Sequence, residues 1–105
     1  MRKILFVCNQ GRYRSRTAQD MFSDSFETGS AGIASDDNPL TKEKLESADI
    51  IVVMEDHQRA FIAEQFPKLY LRKKIISLNI PDIYAYDDKD LKKMLKKKLS
   101  DQLDG

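Results

Sequence analysis

Two uninterrupted apolar runs constrain the fold of this chain more than any other feature of its sequence. The first, ILFV at residues 4–7, ends at Cys8, and the second, DIIVVM, covers residues 49–54. Neither run alternates apolar with polar residues, so each predicts a strand buried on both faces, as in a parallel sheet. A shorter run, KIISL at residues 74–78, predicts another strand, and residues 26–34 predict a short strand followed by a turn.

Helical patterns separate these strands. The first helix begins at Arg14, and residues 41–48 and 55–66 predict two more. Pro67 ends the helix predicted at 55–66, and a last helix precedes the C-terminus. The apolar faces of the first and last helices consist of Ala18, Met21, Phe22, Ser25 and Phe26, and of Leu91, Met94, Leu95, Leu99 and Leu103. Strands that alternate with helices predict a single α/β domain over residues 1–105: a three-layer sandwich, with helices on both faces of a four-stranded parallel sheet.

Composition excludes several classes of protein. Eighteen Lys and Arg residues against 17 Asp and Glu leave a net charge of +1, without the basic excess of a nucleic-acid or membrane-surface binder. No apolar run approaches the roughly 20 residues of a spanning helix, and the N-terminus lacks the apolar stretch of a signal peptide. One cysteine allows neither an intramolecular disulfide nor a thiolate-cluster metal site. We therefore expect a cytoplasmic protein without nucleic-acid or membrane partners.

The loop after the first strand has the composition of an anion-binding site. It consists of Cys8, Asn9, Gln10, Gly11, Arg12, Tyr13, Arg14 and Ser15. Ligands of parallel α/β sheets bind beyond the carboxyl ends of the strands, which is where this loop lies. Its N–H groups and the N-terminus of the next helix form a cradle for a phosphate group, in which Gly11 allows a positive φ. The guanidinium of Arg14 offers paired donors to two phosphate oxygens.

The same positive surroundings favour the ionised, nucleophilic form of the Cys8 sulfur, to which the Ser15 hydroxyl can donate a hydrogen bond. A cation in the first turn of a helix is unfavourable against the helix dipole, so Arg14 indicates an anionic partner. Attack by the sulfur on phosphorus gives a phosphocysteine, and a general acid must protonate the oxygen that leaves.

Four stretches resemble the low-molecular-weight protein tyrosine phosphatases. ILFVCNQGRYRSRTAQDMF, at residues 4–22, is similar to the opening of that family, whose nucleophile loop is C-x5-R-S. The resemblance continues with SAG at 30–32, with ADIIVVMEDH at 48–57, and with PDIY at 81–84, which resembles the family's Asp-Pro-Tyr acid loop. The family's four-stranded parallel sheet flanked by helices agrees with the fold expected above.

This resemblance implies a phosphatase that acts on a phosphorylated protein or small phosphate ester and needs no metal or cofactor. It implies that Cys8 is the nucleophile, Arg14 the phosphate clamp, Ser15 a thiolate stabiliser and Asp82 the general acid. Ser30 is implied to support the nucleophile loop. Tyr84 either walls the pocket and stacks on an aromatic leaving group or simply covers the loop, and we expect His57, the only histidine, to be a solvated helix residue.

The chain also departs from the family's pattern. It is shorter between residues 32 and 48, which implies a more open site, and Gly11 replaces the usual loop asparagine. Tyr13 replaces the second loop cysteine, so no resolving thiol protects the nucleophile from over-oxidation. Ile83 stands where proline is usual, which leaves Asp87 and Asp88 of the same loop as alternative general acids.

Two other functions are compatible with the sequence. One is a phosphocarrier similar to the IIB components of sugar phosphotransferase systems, which carry a reactive cysteine after the first strand of a similar fold. Arg14 and Asp82 speak against it, because a carrier must preserve its phosphocysteine. The other is a catalytically inactive phosphate-binding domain, which the short middle region and the altered acid loop leave open.

Overall fold

The computed structural model describes residues 2–104, in which four parallel strands form one sheet. β1 covers Lys3–Cys8, β2 Glu27–Gly32, β3 Ile50–Val53 and β4 Lys74–Ser77. The order across the sheet is β2-β1-β3-β4, and every neighbouring pair is parallel. The predicted four-stranded parallel sheet is confirmed, and β1, the strand that ends at the cysteine, is one of its two central strands.

Helices cover both faces of this sheet, as the alternating pattern predicts. They are α1 (Arg14–Met21), α2 (Lys42–Ser47), α3 (Asp56–Gln65), α4 (Pro67–Arg72) and α5 (Lys89–Asp104). No helix within residues 2–104 combines the length and apolar character needed to cross a membrane.

Two separate hydrophobic clusters form because successive side chains of a strand point to opposite faces. Ile4 and Phe6 of β1 pack against α1 and α5, whereas Leu5 and Val7 pack against α2, α3 and α4. The helix that follows β1 thus lies on one face and the helices that follow β2 and β3 on the other. The crossover direction therefore changes between β1 and β3, which is the place where parallel α/β sheets bind ligands.

The first helix is shorter than its apolar pattern predicts. α1 ends at Met21, and Ser23, Asp24 and Ser25 form turns in which the Ser23 hydroxyl donates to the Asp20 carbonyl. Short polar side chains compete with the helix for backbone groups in this way. The expected helical position of Phe26 is therefore wrong, although its ring still packs against the cluster between the sheet and α5.

Pro67 ends one helix and begins another, which the sequence pattern missed. α3 stops at Gln65, Phe66 leaves the helical region with φ −135° and ψ 61°, and Pro67 is the first residue of α4. Proline is well suited to the first helical position because its missing N–H has no partner there. α4 then anchors Leu69 in the cluster on that face of the sheet.

Leu95 and Leu71 provide a matched test of this packing. Leu95 of α5 is fully buried, whereas Leu71 of α4 is 84% exposed. Leu95→Ala is expected to lower the free energy of unfolding by about 2–5 kcal/mol, because it removes buried methyl groups and leaves a cavity. Leu71→Ala is expected to change it by less than about 0.5 kcal/mol. Urea titration of both variants measures the difference, and equal losses would contradict the burial described here.

Candidate active site

The loop that joins β1 to α1 wraps around the sulfur of Cys8. The Gly11 N–H donates to Cys8 Sγ over 3.1 Å, and Ser15 Oγ lies 3.1 Å from the same atom. Cys8 is 2% exposed, and Ser15 is fully buried. The buried sulfur is therefore held by one backbone donor of the loop and lies within hydrogen-bond distance of the Ser15 hydroxyl.

Gly11 lets the loop close in this way because its backbone has a φ of +69°. A Cβ at this position would lie 2.8 Å from the Gly32 nitrogen and 2.9 Å from the Ala31 carbonyl carbon. The end of β2 therefore leaves no space for a side chain, and the conformation itself disfavours one. Sequence analysis predicts this positive φ, and the structure confirms it.

Arg14 lies in the same loop and is 1% exposed. Its Nη1 donates to the Glu55 carboxylate and, over 2.8 Å, to the Ile80 carbonyl. Its Nε and Nη2 are buried without a hydrogen-bond partner within the part of the chain that the structure describes. Buried donors are almost always satisfied in folded proteins. Two free donor atoms on one guanidinium match an oxyanion with two accessible oxygens.

The three candidate acids of the 79–88 loop have different surroundings. Asp82 Oδ1 lies 3.6 Å from Arg14 Nε, and Asp82 remains half exposed. Asp87 instead forms an ion pair with Lys92, with 2.9 Å between Asp87 Oδ1 and Lys92 Nζ. Asp88 accepts the N–H groups of Asp90 and Leu91 at the start of α5. The structure thus brings only Asp82 of these three to Arg14, while Asp87 and Asp88 hold the beginning of the last helix.

Asn9 is held by two residues of α3. The His57 Nε2 atom lies 2.7 Å from Asn9 Oδ1, and the Gln58 side chain donates to the same oxygen over 3.1 Å. Gln58 is fully buried, and its own oxygen accepts the N–H groups of Met54 and Glu55. His57 is therefore hydrogen-bonded to the loop between β1 and α1 (the nucleophile loop of the family that the sequence resembles) and not only to solvent. The sequence predicted a solvated His57 and did not single out Gln58, and no spacing rule identified Asn9 as their partner.

Ser30 reaches the nucleophile loop through another side chain. Ser30 is 8% exposed, and its Oγ lies 3.1 Å from Asn38 Nδ2. That same Asn38 nitrogen donates to the Gly11 carbonyl over 3.1 Å. Sequence analysis did not single out Asn38, since an asparagine before a proline is a common turn residue.

The remaining loop residues form the rim of the site. Gln10, Arg12 and Tyr13 are exposed, and the Arg12 guanidinium pairs with the carboxylate of Asp37. Tyr13 is 44% exposed. The exposed side chains of Arg12 and Tyr13 can contact a ligand that enters from solvent.

The two tyrosines that follow Asp82 make contacts with α5 and α1. Tyr84 is half-buried against the cluster between the sheet and α5, and its hydroxyl lies 3.9 Å from Met94 Sδ. Of the two arrangements that the sequence left open for Tyr84, a pocket wall or a cover over the loop, this packing matches the second. The Tyr86 hydroxyl donates to the Asp20 carboxylate, and this hydrogen bond, with the nearby negative charges, raises the pKa of Tyr86.

No family model matches the sequence, and no curated protein does either. The fold does match solved structures over nearly its whole length. The tyrosine phosphatase Wzb from Escherichia coli K30 superimposes with a TM-score of 0.79 at 18% identity, covering 97% of this chain and 96% of that one. A low-molecular-weight protein tyrosine phosphatase from T. tengcongensis gives 0.77 at 21% identity, with 98% and 97% covered.

A third similar structure is the YwlE arginine phosphatase from Geobacillus stearothermophilus. It gives a TM-score of 0.73 at 19% identity and covers 99% of this chain and 94% of that one. The chain therefore has the fold of the low-molecular-weight protein tyrosine phosphatases, as the sequence resemblance implies.

Gly11 and Gly29 give a matched pair of glycines for testing the loop. Gly11→Ala is expected to destabilise the protein by about 1–3 kcal/mol, because it combines a positive φ with close backbone contacts. Gly29→Ala is expected to have little effect, since the nearest atom to a Cβ there is Leu5 Cδ1 at 3.5 Å. Chemical denaturation of the two variants checks this, and a Gly11→Ala protein as stable as Gly29→Ala would refute the loop geometry.

Proposed function

We propose that this protein is a phosphomonoester hydrolase of the low-molecular-weight protein tyrosine phosphatase family, and that it acts through a phosphocysteine at Cys8. The observation that carries the proposal is the buried Arg14 of the loop that surrounds the sulfur, because its Nε and Nη2 have no hydrogen-bond partner within residues 2–104. A bound phosphate dianion supplies acceptors to both nitrogens. The shared fold, and the phosphatase activity named for its structural neighbours, support the same chemistry.

In the first step the Cys8 thiolate attacks phosphorus. An S–P bond forms while the bond from phosphorus to the leaving oxygen breaks, and the Asp82 carboxyl donates its proton to that oxygen. Phosphate bound to Arg14 supplies acceptors to the guanidinium beside Asp82, so the carboxyl is released from that contact and can act on the leaving oxygen.

In the second step water attacks the phosphocysteine. The Asp82 carboxylate accepts a proton from the water, the new P–O bond forms, and the S–P bond breaks to release inorganic phosphate and the thiolate. The Gly11 N–H and the Ser15 hydroxyl stabilise the sulfur as it leaves. Arg14 and the N–H groups of residues 9–13 hold the equatorial oxygens through both transition states.

Asp82 is the better general acid of the three candidates because its neighbours leave it free to act. It lies beside Arg14 and is half exposed, whereas Asp87 pairs with Lys92 and Asp88 accepts backbone N–H groups at the start of α5. Protonation removes the charge of a carboxylate, which ends the ion pair between Asp87 and Lys92 and weakens acceptance by Asp88 at the start of α5. Bound phosphate can replace Asp82 beside Arg14, so the general-acid role conflicts with the contacts of Asp87 and Asp88 more than with that of Asp82.

The substrate class follows from the rim of the site. Tyr13 is exposed in the nucleophile loop, and Ile83, directly after the acid, is 74% exposed. These apolar groups favour an aryl phosphate, such as phosphotyrosine in a protein or a small aryl ester. The reaction requires neither metal nor cofactor, and a nucleophilic thiol persists in a reducing compartment such as the cytoplasm.

Hydrolysis of p-nitrophenyl phosphate tests the mechanism. We expect turnover that EDTA leaves unchanged, competitive inhibition by vanadate, and loss of activity in Cys8→Ser, because a serine hydroxyl is a far weaker nucleophile than a thiolate. Circular dichroism of Cys8→Ser checks that the variant is folded. Activity that persists in a folded Cys8→Ser protein would exclude the proposed nucleophile.

The same assay separates the alternatives. A phosphocarrier would accumulate a stable phosphoprotein, visible by mass spectrometry, without steady release of phosphate. An inactive binding domain would bind phosphate without turnover. Phosphotyrosine peptide and phosphoarginine, assayed side by side, distinguish an aryl-phosphate enzyme from one that resembles the arginine phosphatase among its structural neighbours.

Asp82→Asn tests the general acid against a matched substitution in the same loop, Asp88→Asn. Asp82→Asn is expected to slow hydrolysis of alkyl and phenyl phosphates by about 10²–10⁴-fold, and that of esters with good leaving groups much less. Asp88→Asn keeps the oxygen that accepts at the start of α5 and is expected to retain activity. If Asp88→Asn, and not Asp82→Asn, shows the dependence on the leaving group, the acid is misassigned.

A further inference from the structure

The side chain of Asn38 occupies a central position between the nucleophile loop and the end of β2. Its Nδ2 lies 3.1 Å from both the Gly11 carbonyl and Ser30 Oγ, and its Oδ1 accepts from Lys44 Nζ over 2.8 Å. Its backbone N–H donates to Ser35 Oγ, and its carbonyl accepts the Gly32 N–H. Every polar group of this half-buried residue is therefore hydrogen-bonded within the protein.

Lys44 determines which way the Asn38 amide faces. An ammonium group is only a donor, so the amide oxygen must point to Lys44 and the amide nitrogen to the nucleophile loop. Lys44 is itself held by the Pro39 carbonyl over 2.7 Å, and partial burial lowers its pKa. The orientation of the amide thus follows from a charge-assisted hydrogen bond made outside the loop.

Through the Gly11 carbonyl, Asn38 controls the direction of a whole peptide unit. In a planar trans peptide the C=O and the following N–H point in opposite directions. A Gly11 carbonyl directed out to Asn38 therefore directs the Arg12 N–H to the opposite side. The preceding peptide unit carries the Gly11 N–H, which donates to Cys8 Sγ over 3.1 Å.

Gly11 cannot hold the loop by a side chain of its own, and Asn38 occupies the adjacent space. A Cβ at Gly11 would lie 3.1 Å from Asn38 Nδ2. The amide that fixes this turn comes instead from a residue 27 positions further along the chain. The glycine and the asparagine are therefore complementary: one leaves the space and the other supplies the donor.

We propose that Asn38 is a positioning residue of the active site, which keeps the Gly11–Arg12 peptide unit turned so that its N–H faces the bound phosphate and the Gly11 N–H faces the sulfur. Lys44 acts through Asn38 by orienting its amide. This inference rests on the proposed function for the identity of the anion, but its effect on the thiol is measurable without turnover.

The test compares Asn38→Ala and Asn38→Asp with Asp36→Ala, an exposed residue of the same segment. For both Asn38 variants we expect kcat for p-nitrophenyl phosphate to fall by about 10- to 100-fold with a smaller change in KM, because cradle donors move out of line with the transition state. The alkylation of Cys8 by iodoacetamide, followed by mass spectrometry, should reach half its maximal rate at a higher pH. Asp36→Ala is expected to match the wild-type protein in both assays.

Each result decides the inference. An Asn38→Ala protein with reduced thermal stability but unchanged kcat and alkylation profile shows a structural role only, which overturns the proposal. A change in kcat or in the alkylation profile that occurs only in Asn38→Asp reports the added charge and overturns the proposal as well. If Asn38→Ala does not fold, Lys44→Met, which removes the donor that orients the amide, must show the same changes to a smaller extent. If the wild-type protein hydrolyses no phosphate but Asn38→Ala still shifts the alkylation profile of Cys8, the proposed function is refuted and the positioning of the thiol is retained.

Discussion

A guanidinium that is 1% exposed needs partners within the protein, and Arg14, which follows β1, draws its partners from the ends of two other strands. It begins the helix after β1, pairs with Glu55 just after β3, and donates to the Ile80 carbonyl just after β4. The carboxyl edge of the sheet is therefore organised around one cation. A neutral side chain of similar size would give these three loops no common partner.

The pairing of Arg14 within residues 2–104 is incomplete, and the proposed function rests on this feature. Glu55 and Ile80 occupy one terminal nitrogen, which fixes the plane of the guanidinium. The other two nitrogens have no hydrogen-bond partner among the described residues, and Asp82 lies near one of them at 3.6 Å. A rigid cation with free donors attracts an oxyanion without rearrangement, and preorganisation of this kind lowers the cost of stabilising a charged transition state. Under the proposed mechanism, the half-exposed Asp82 exchanges this electrostatic contact for proton transfer.

Particular residues show where prediction from sequence succeeds and where it stops. The apolar runs before Cys8 and around Val52 predict central strands because burial on both faces demands continuous apolar residues. Helix ends are harder to predict from such patterns: apolar spacing continues past Met21, yet α1 ends there, and the Ser23 hydroxyl donates to the Asp20 carbonyl. The choice among Asp82, Asp87 and Asp88 depended on contacts with Arg14, Lys92 and the start of α5, which composition and spacing do not encode.

The sequence by itself determined the parallel α/β class, the position of the cysteine at the end of a buried strand, and the glycine and arginine of the loop that follows. These features are local, since a strand, a turn and a helix start depend on neighbouring residues. Only the tertiary structure decided that Glu55 anchors Arg14, that His57 and Gln58 hold Asn9, and that Asn38 reaches Gly11. These contacts join residues far apart in the chain, and they form because the sheet order β2-β1-β3-β4 brings the loops after β2 and β3 to either side of the nucleophile loop.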